Sequence, residues 1–264
     1  MKPASELTSE IAAAAELVAA SDDVVVLTGA GISTDSGIPD FRGPDGIWTK
    51  DPDAEKASNI EFYVSDADLR KRNWQRHVEG SPYLGRDPNP GHHALVDLES
   101  QGRLHTLITQ NVDGLHLAAG TSPQRLVEIH GNARNVKCLD CGDGAPLQVA
   151  IDRVAQGEVD PPCRSCGGIL KTATVSFGQS LDNDDLLRSQ QAAGEADLLL
   201  AVGSTLTVYP VAEVVPMAHR RGVPVVIVNG SPTPFDAIAT VVLRASISEV
   251  LPIVVAAGAA AGPS

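Results

Sequence analysis

The chain has 264 residues, 20 Lys+Arg against 33 Asp+Glu and a formal charge of −13, which argues against electrostatic binding of nucleic acid or an anionic membrane. The acidity suits basic, lysine-bearing peptides, and it equally suits plain solubility. The length accommodates one large domain with an insertion, no apolar run reaches the roughly 18 residues of a membrane helix, and the polar start Met1 to Ile11 is unlike a secretory signal, so a cytoplasmic protein is expected.

Leu7, Ile11, Ala14, Leu17 and Val18 recur at helical spacing until Ser21-Asp22-Asp23 interrupts them. The apolar run Val24 to Leu27 then predicts a strand. It feeds the segment Gly29-Ala30-Gly31-Ile32-Ser33-Thr34-Asp35-Ser36-Gly37-Ile38-Pro39-Asp40-Phe41-Arg42. Glycines in such a place either make an ordinary bend or let backbone N–H donors approach a phosphate; Thr34 stands where the third glycine of the dinucleotide fingerprint would be. Residues 46–90 lack strand and helix alternation, hold Trp48 and Trp74, and are expected to form a helical insertion or lid.

Leu104 to Ile108 predicts the next strand, ending in Thr109-Gln110-Asn111-Val112-Asp113. These carboxamides and the carboxylate match a nicotinamide amide and ribose hydroxyls, or else cap the following helix. His130, in Ile129-His130-Gly131-Asn132 beyond the apolar pair Leu126-Val127, is the best-placed general base of the seven histidines. Cys138-x-x-Cys141 and Cys163-x-x-Cys166 follow at zinc-ribbon spacing, with Gly142 and Gly167-Gly168 at the knuckles. The competing readings are a dithiol redox site or disulfides. Four thiolates leave no open coordination position, so the metal is expected to be structural.

Further strands are predicted at Leu198 to Val202, Val225 to Val228 and Val241 to Leu243, with a helix-like stretch from Val211 to Arg221. The alternation indicates an α/β fold with a mainly parallel sheet and helices on both faces. Gly203-Ser204-Thr205 and Asn229-Gly230-Ser231 each end one of these strands, so several polar or glycine-rich turns point to one crevice. The Ala/Gly tail 256–264 is expected to be disordered.

Together these segments resemble the sirtuin family of NAD-dependent protein lysine deacylases over roughly residues 7–253. The resemblance rests on GAGISTDSGIPDFR (29–42), TQNVD (109–113), HGN (130–132), the two CxxC pairs, GSTLTVYP (203–210) and VNGSPTPFD (228–236). Residues 41–49 are most similar to the branch containing the chromatin-associated mammalian sirtuins. The resemblance implies a Rossmann-like NAD-binding domain (1–45, 91–130 and 173–255), a helical module (46–90) and a small zinc-ribbon domain (131–172). NAD is implied as cosubstrate, with one structural zinc ion on Cys138, Cys141, Cys163 and Cys166.

By the same resemblance, Gly29, Ala30, Gly31, Thr34, Asp40, Phe41, Arg42 and Trp48 belong to the cofactor loop, Arg42 orienting the cofactor and Phe41 covering the ribose. Gln110, Asn111 and Asp113 shape the nicotinamide pocket, Gly203, Ser204 and Thr205 hold phosphate and ribose, and Asn229, Ser231 and Ile247 serve the adenosine end. His130 is the base, with Asn111 and Asp113 as catalytic partners; Val175, Ser176, Phe177 and Gly178 receive an extended acyl-lysine peptide. The implied products are nicotinamide, free lysine and 2′-O-acyl-ADP-ribose.

Two departures bear on substrate choice. Ser176 and Gln179 stand where the family usually has an aromatic or aliphatic residue and Glu. The desuccinylase branch carries Tyr-x-x-Arg, to which Tyr63-Val64-Ser65-Asp66 and Tyr83-Leu84-Gly85-Arg86 invite comparison. The rival functions are a protein ADP-ribosyltransferase and a noncatalytic NAD or ADP-ribose sensor. A nicotinamide dehydrogenase fits less well, since the third glycine and the later acidic residue are not arranged for it.

Overall fold

Val24 and Val26 point to one side of their strand and Val25 and Leu27 to the other, yet all four are fully buried. Such double-sided burial requires cover on both faces, and the element order supplies it. The computed structural model describes residues 4–41, 46–80 and 85–260. The chain starts with α1 (Thr8–Ala19) and β1 (Val24–Thr28), then runs through α2 (Ile47–Lys50), α3 (Pro52–Ala57), α4 (Ile60–Ser65) and α5 (Ala67–Gly80). Next come α6 (Pro90–Ser100), β2 (Leu104–Thr109), α7 (Leu115–Ala119), β3 (Leu126–Glu128), β4 (Gly131–Cys138), β5 (Gly144–Pro146), α8 (Leu147–Ala155) and β6 (Leu170–Thr174). It ends with α9 (Asn183–Glu195), β7 (Leu198–Val202), α10 (Val214–Arg220), β8 (Val225–Val228), β9 (Val241–Leu243) and α11 (Ile247–Ala260).

Six strands form one sheet in the order β3-β2-β1-β7-β8-β9, every pair parallel. This is the dinucleotide-binding order, whose progression reverses between β1 and β7 and opens a crevice beyond their carboxyl ends. On one face, Val24, Val26, Leu200 and Val226 pack with Ile11 and Val18 of α1, Leu95 and Leu98 of α6, and Val250, Leu251 and Val254 of α11. On the other, Val25, Leu27, Leu199 and Ile227 pack with Ala192 and Ala193 of α9 and Val214, Val215 and Ala218 of α10.

The antiparallel sheet β5-β4-β6 holds Cys138 at the end of β4, with Cys141 in the β4–β5 connection and Cys163 and Cys166 before β6. Trp74 of α5 is fully buried in the same cluster as Val136, Cys138, Leu147, Cys163 and Leu170. Tyr63 Oη of α4 donates to Leu170 O at 3.0 Å, and Arg70 Nε pairs with Asp160 at 3.0 Å. Residues 46–80 are helical as expected, but α5 serves as a wall of the ribbon's core rather than as a cover over the parallel sheet.

The alanine-rich end departs from expectation. α11 continues to Ala260, into the stretch expected to be disordered. Alanine has the highest helix propensity; residues 261–264 of that stretch lie outside the described residues. Among the described residues no helix is long and apolar enough to cross a membrane.

Candidate functional site

The Gly29 and Gly31 N–H groups are not left for a phosphate. Gly29 N–H donates to Val202 O at 3.0 Å and Gly31 N–H to Gly203 O at 2.8 Å, tying the turn after β1 to the turn after β7. The turns touch: a Cβ on Gly29 would sit 2.8 Å from Gly203 O, and one on Gly31 2.8 Å from Gly203 Cα. Gly203 has φ +64°, and a Cβ there would lie 2.4 Å from Ile32 N. These glycines are therefore needed for backbone packing across the switch point, which corrects the expectation of free donors.

The polar turn after β2 docks onto the same place. Gln110 Nε2 donates to Ser204 Oγ at 2.8 Å, and Asn111 Nδ2 donates to Gly29 O and to Ser33 Oγ, both at 3.1 Å. Ser33 Oγ donates to Asp113 Oδ2 at 2.8 Å, while Leu115 N–H caps Asp113 Oδ1 at 2.9 Å. Asp113 thus joins the first residue of α7 to the turn after β1. Burial raises its pKa above the ordinary carboxylate value, against the opposing hydrogen bonds from Leu115 and Ser33.

Beneath this turn lies a buried polar layer that the sequence did not single out. Asn89 N–H donates to His92 Nδ1 at 3.3 Å, which leaves the His92 proton on Nε2, 3.5 Å from Ser33 Oγ. Burial pulls His92 down to about 4 and His116 well below the ordinary histidine value. Thr28 Oγ1 donates to Thr109 Oγ1 at 2.8 Å and lies 2.9 Å from His116 Nε2. Thr109 Oγ1 in turn accepts from Asn111 N–H at 3.1 Å. The sequence signal was thin: Asn89-Pro90 reads as a helix start, and the structure shows the capping box there.

His130 follows β3, where the chain leaves the parallel sheet for β4. Its Nδ1 lies 3.2 Å from Gln110 O, an atom that can only accept, so the neutral ring carries its proton on Nδ1 and keeps a lone pair on Nε2. Burial holds its pKa below the ordinary histidine value. The His130 carbonyl accepts from Val175 N–H at 2.8 Å. From there Phe177 bridges to the helical segment, its N–H donating to Ser58 O at 2.8 Å and its carbonyl accepting from Ile60 N–H at 3.0 Å. Trp48 lies between Phe41 and Phe177, with ring centroids 4.8 and 5.5 Å away.

Phe41, Trp48 and the Val175–Gly178 segment are therefore continuous. Gln179 folds back on its own turn, Oε1 accepting from Ser176 N–H at 2.9 Å, and Ser176 is buried. Tyr63 is buried and spends its hydroxyl on Leu170 O, so it offers nothing to an acidic acyl group. Arg42 and Tyr83 lie outside the described residues.

At the far end, Thr205 is exposed, with Oγ1 2.9 Å from Thr207 Oγ1, and Asn229 Nδ2 donates to Ser231 O at 2.8 Å. Ile247 is buried in the core, close to Gly91. Thr34 Oγ1 donates to Gly31 O at 3.0 Å. Thr205 thus follows β7, Asn229 and Ser231 follow β8, and Ile247 opens α11 after β9. Ser204 Oγ accepts from Gln110 Nε2 and Leu206 N–H, and its own proton reaches no acceptor among the described residues. A donor so placed at the switch point, beside carboxamides and a carboxylate, fits a dinucleotide phosphate and ribose.

The four cysteine sulfurs lie within 4.8 Å of one another, with Cys138–Cys166 at 3.5 Å and Cys141–Cys163 at 3.7 Å. Tetrahedral zinc with bonds of about 2.3 Å implies sulfur separations of roughly 3.8 Å, whereas a disulfide needs about 2.05 Å. All four are free thiols, and they form a closed, structural zinc site.

A parallel sheet in dinucleotide order, with a neutral histidine at its carboxyl edge, places the chain among Rossmann-type nucleotide-using proteins, here with a zinc ribbon attached. The family is narrower than that class. A model described as the Sir2 family matches residues 29–210. The chain is 44% identical over 229 residues to an NAD-dependent protein deacetylase 2 of Streptomyces coelicolor, covering 87% of this chain and 95% of that one. It is 40% identical to an NAD-dependent protein deacetylase of Sulfolobus acidocaldarius, covering 94% and 95% of the two chains. A solved structure described as Sir2 with a p53 peptide and NAD+ superposes with a TM-score of 0.80 at 33% identity, covering 93% and 97%. The chain belongs to the Sir2, or sirtuin, family.

Proposed function

We propose that this protein is an NAD-dependent protein lysine deacetylase, releasing nicotinamide and 2′-O-acetyl-ADP-ribose while freeing the lysine. The observation that carries the reading is the contact chain from the switch point to the peptide segment. Ser204 holds Gln110, the Gln110 carbonyl holds the His130 imidazole, and the His130 carbonyl holds Val175.

NAD, when bound, supplies a ribose carbon made electrophilic by the departure of nicotinamide. In this reading Asn111 and Asp113 shape the nicotinamide end and Ser204 donates to a phosphate, with Thr205, Asn229, Ser231 and Ile247 toward the adenosine. His130 accepts a proton at Nε2 from a ribose hydroxyl, its Nδ1–H braced by Gln110 O so that the ring cannot rotate away. Phe41, Trp48 and Phe177 form an apolar wall that excludes water from the acyl group. Val175 to Gly178 line the course of an extended acyl-lysine peptide; the N–H groups of Val175, Ser176 and Phe177 are bonded within the protein, so the remaining backbone groups around Gly178 meet the peptide, a mode that tolerates varied flanking sequence.

Residues 1–45, 91–130 and 173–255 are the NAD-binding body in this reading, with 46–90 and 131–172 as the smaller part. The net charge of −13 favours basic protein substrates over nucleic acid or an anionic membrane and goes with a cytoplasmic setting. The test is incubation with labelled NAD and an acetyl-lysine peptide. Acetyl-ADP-ribose formed in step with nicotinamide supports the deacetylase, whereas label retained on protein with the peptide unchanged supports ADP-ribosyl transfer instead.

A further inference from the structure

Lysine is seldom fully buried, because its ammonium loses hydration that only strong partners restore. Lys171 in β6 is 3% exposed, and among the described residues no carboxylate pairs with it. Its Nζ donates instead to Thr174 O at 2.5 Å, Thr174 Oγ1 at 3.1 Å and Thr172 O at 3.2 Å. The hydroxyls of Thr172 and Thr174 are themselves 3.1 Å apart. The donors of one side chain are thus gathered on a stretch of its own strand. Burial alone brings Lys171 down to about 8, as expected of an ammonium held by dipoles rather than by a counter-charge.

The stretch sits opposite an irregularity. In the β4–β6 ladder Val136 faces Thr172 and Gly131 faces Thr174, so β4 uses more residues than β6 to cover the same span. The pairing is regular from Leu170 to Thr172, but beyond Thr172 a ladder interrupted in this way does not hold β6 evenly. What β6 leads into is the site: Val175 N–H is bonded to His130 O and Phe177 to Ser58 and Ile60.

We infer that Lys171 is a positioning residue for acyl-lysine recognition, its ammonium clasping Thr172 and Thr174 and so setting where Val175 stands against His130. The inference rests on the proposed role of Val175–Gly178 as the acyl-lysine segment. Lys171 contributes no reacting atom. It replaces, with three hydrogen bonds, the stiffness that a regular ladder would supply.

The test uses the full-length zinc-loaded enzyme with an acetyl-lysine peptide and NAD. Lys171→Met keeps the unbranched stem and removes the donors; the peptide KM should rise about tenfold, equivalent to roughly 1.4 kcal/mol, with the KM for NAD nearly unchanged. Lys171→Arg should recover most of the loss. Thr174→Val removes one acceptor without touching the charge and should raise the peptide KM by about two- to threefold, which keeps the test open if Lys171→Met does not fold. Phe177→Ala is the control for the segment. If it leaves the peptide KM unchanged, the segment's role fails. If it raises the peptide KM while folded Lys171→Met, or Thr174→Val in its place, leaves it unchanged or weakens peptide and NAD alike, the Lys171 inference is overturned.

Discussion

Replacing Gly31 by alanine separates two uses of a glycine turn. Gly31 is not among the positive-φ glycines, so alanine meets no backbone penalty there. Its Cβ would lie 2.8 Å from Gly203 Cα, 2.9 Å from Gly203 O and 3.1 Å from Gly203 C. All three are backbone atoms, so no flexible side chain can yield. Overpacking of this kind costs about 1–3 kcal/mol, and loosening the 2.8 Å bond from Gly31 N–H to Gly203 O costs about 1 kcal/mol more. A total of about 2–4 kcal/mol corresponds to a fall of roughly 10 °C in melting temperature for a chain of this size. Thermal unfolding of the NAD-free protein reads the effect directly, and titration calorimetry with NAD reads the second half. If the glycine served only close approach of a phosphate, the melting temperature without NAD would stay where it was while NAD affinity fell. That result would refute the packing argument.

His130→Ala should slow deacetylation by roughly 100- to 10,000-fold while leaving the melting curve nearly intact; retained turnover would remove His130 from the base role. Because burial holds His130 below the ordinary value, the acid limb of kcat/KM should fall below about pH 6.5, and a limb at or above that value would contradict the buried-base geometry. His92, fully buried and held at about 4, stays neutral in the fold while the unfolded chain takes up protons, so stability falls as pH drops from about 6.5 toward 4. Its share of the loss between pH 7 and 5 is about 2 kcal/mol; His92→Gln should flatten that part of the profile, and an unchanged profile would assign the loss elsewhere. Stripping zinc with a chelator should shift the emission of Trp74 to longer wavelength in a Trp48→Phe background, since Trp74 shares its cluster with Cys138 and Cys163. Unaltered emission after zinc has left would show that the cluster survives without the metal.

The parallel strands were legible because burial on both faces forces unbroken aliphatic runs, and Val24 to Leu27, Leu198 to Val202 and Val225 to Val228 are such runs. β4 was not. Its burial alternates irregularly around the bulge, so neither a period of two nor a continuous run marks it. Cys138 and its partners were readable as a metal set because thiolate spacing is a local property. The partners of Ser33, His92 and Thr28 were not, since a buried polar layer is assembled from α6, β1, β2 and α7, and each residue alone looks like an ordinary cap or strand position. The same holds for Lys171, whose bonds to Thr172 and Thr174 leave no local sign in the sequence. The glycine run was found, but its packing role was not legible, because only the three-dimensional approach of the Gly203 turn reveals what the missing side chains make room for.

Trp74 carries a lesson for anyone recombining members of this family. The ribbon's cysteines look like a portable cassette, yet the side chain that completes their apolar interior comes from α5, far earlier in the chain. A hybrid that imports residues 131–172 alone would seat a foreign ribbon against this Trp74, with Tyr63 and Arg70 still reaching for Leu170 and Asp160. Segments 46–80 and 131–172 should therefore be inherited together, as one unit of exchange written in two separated stretches.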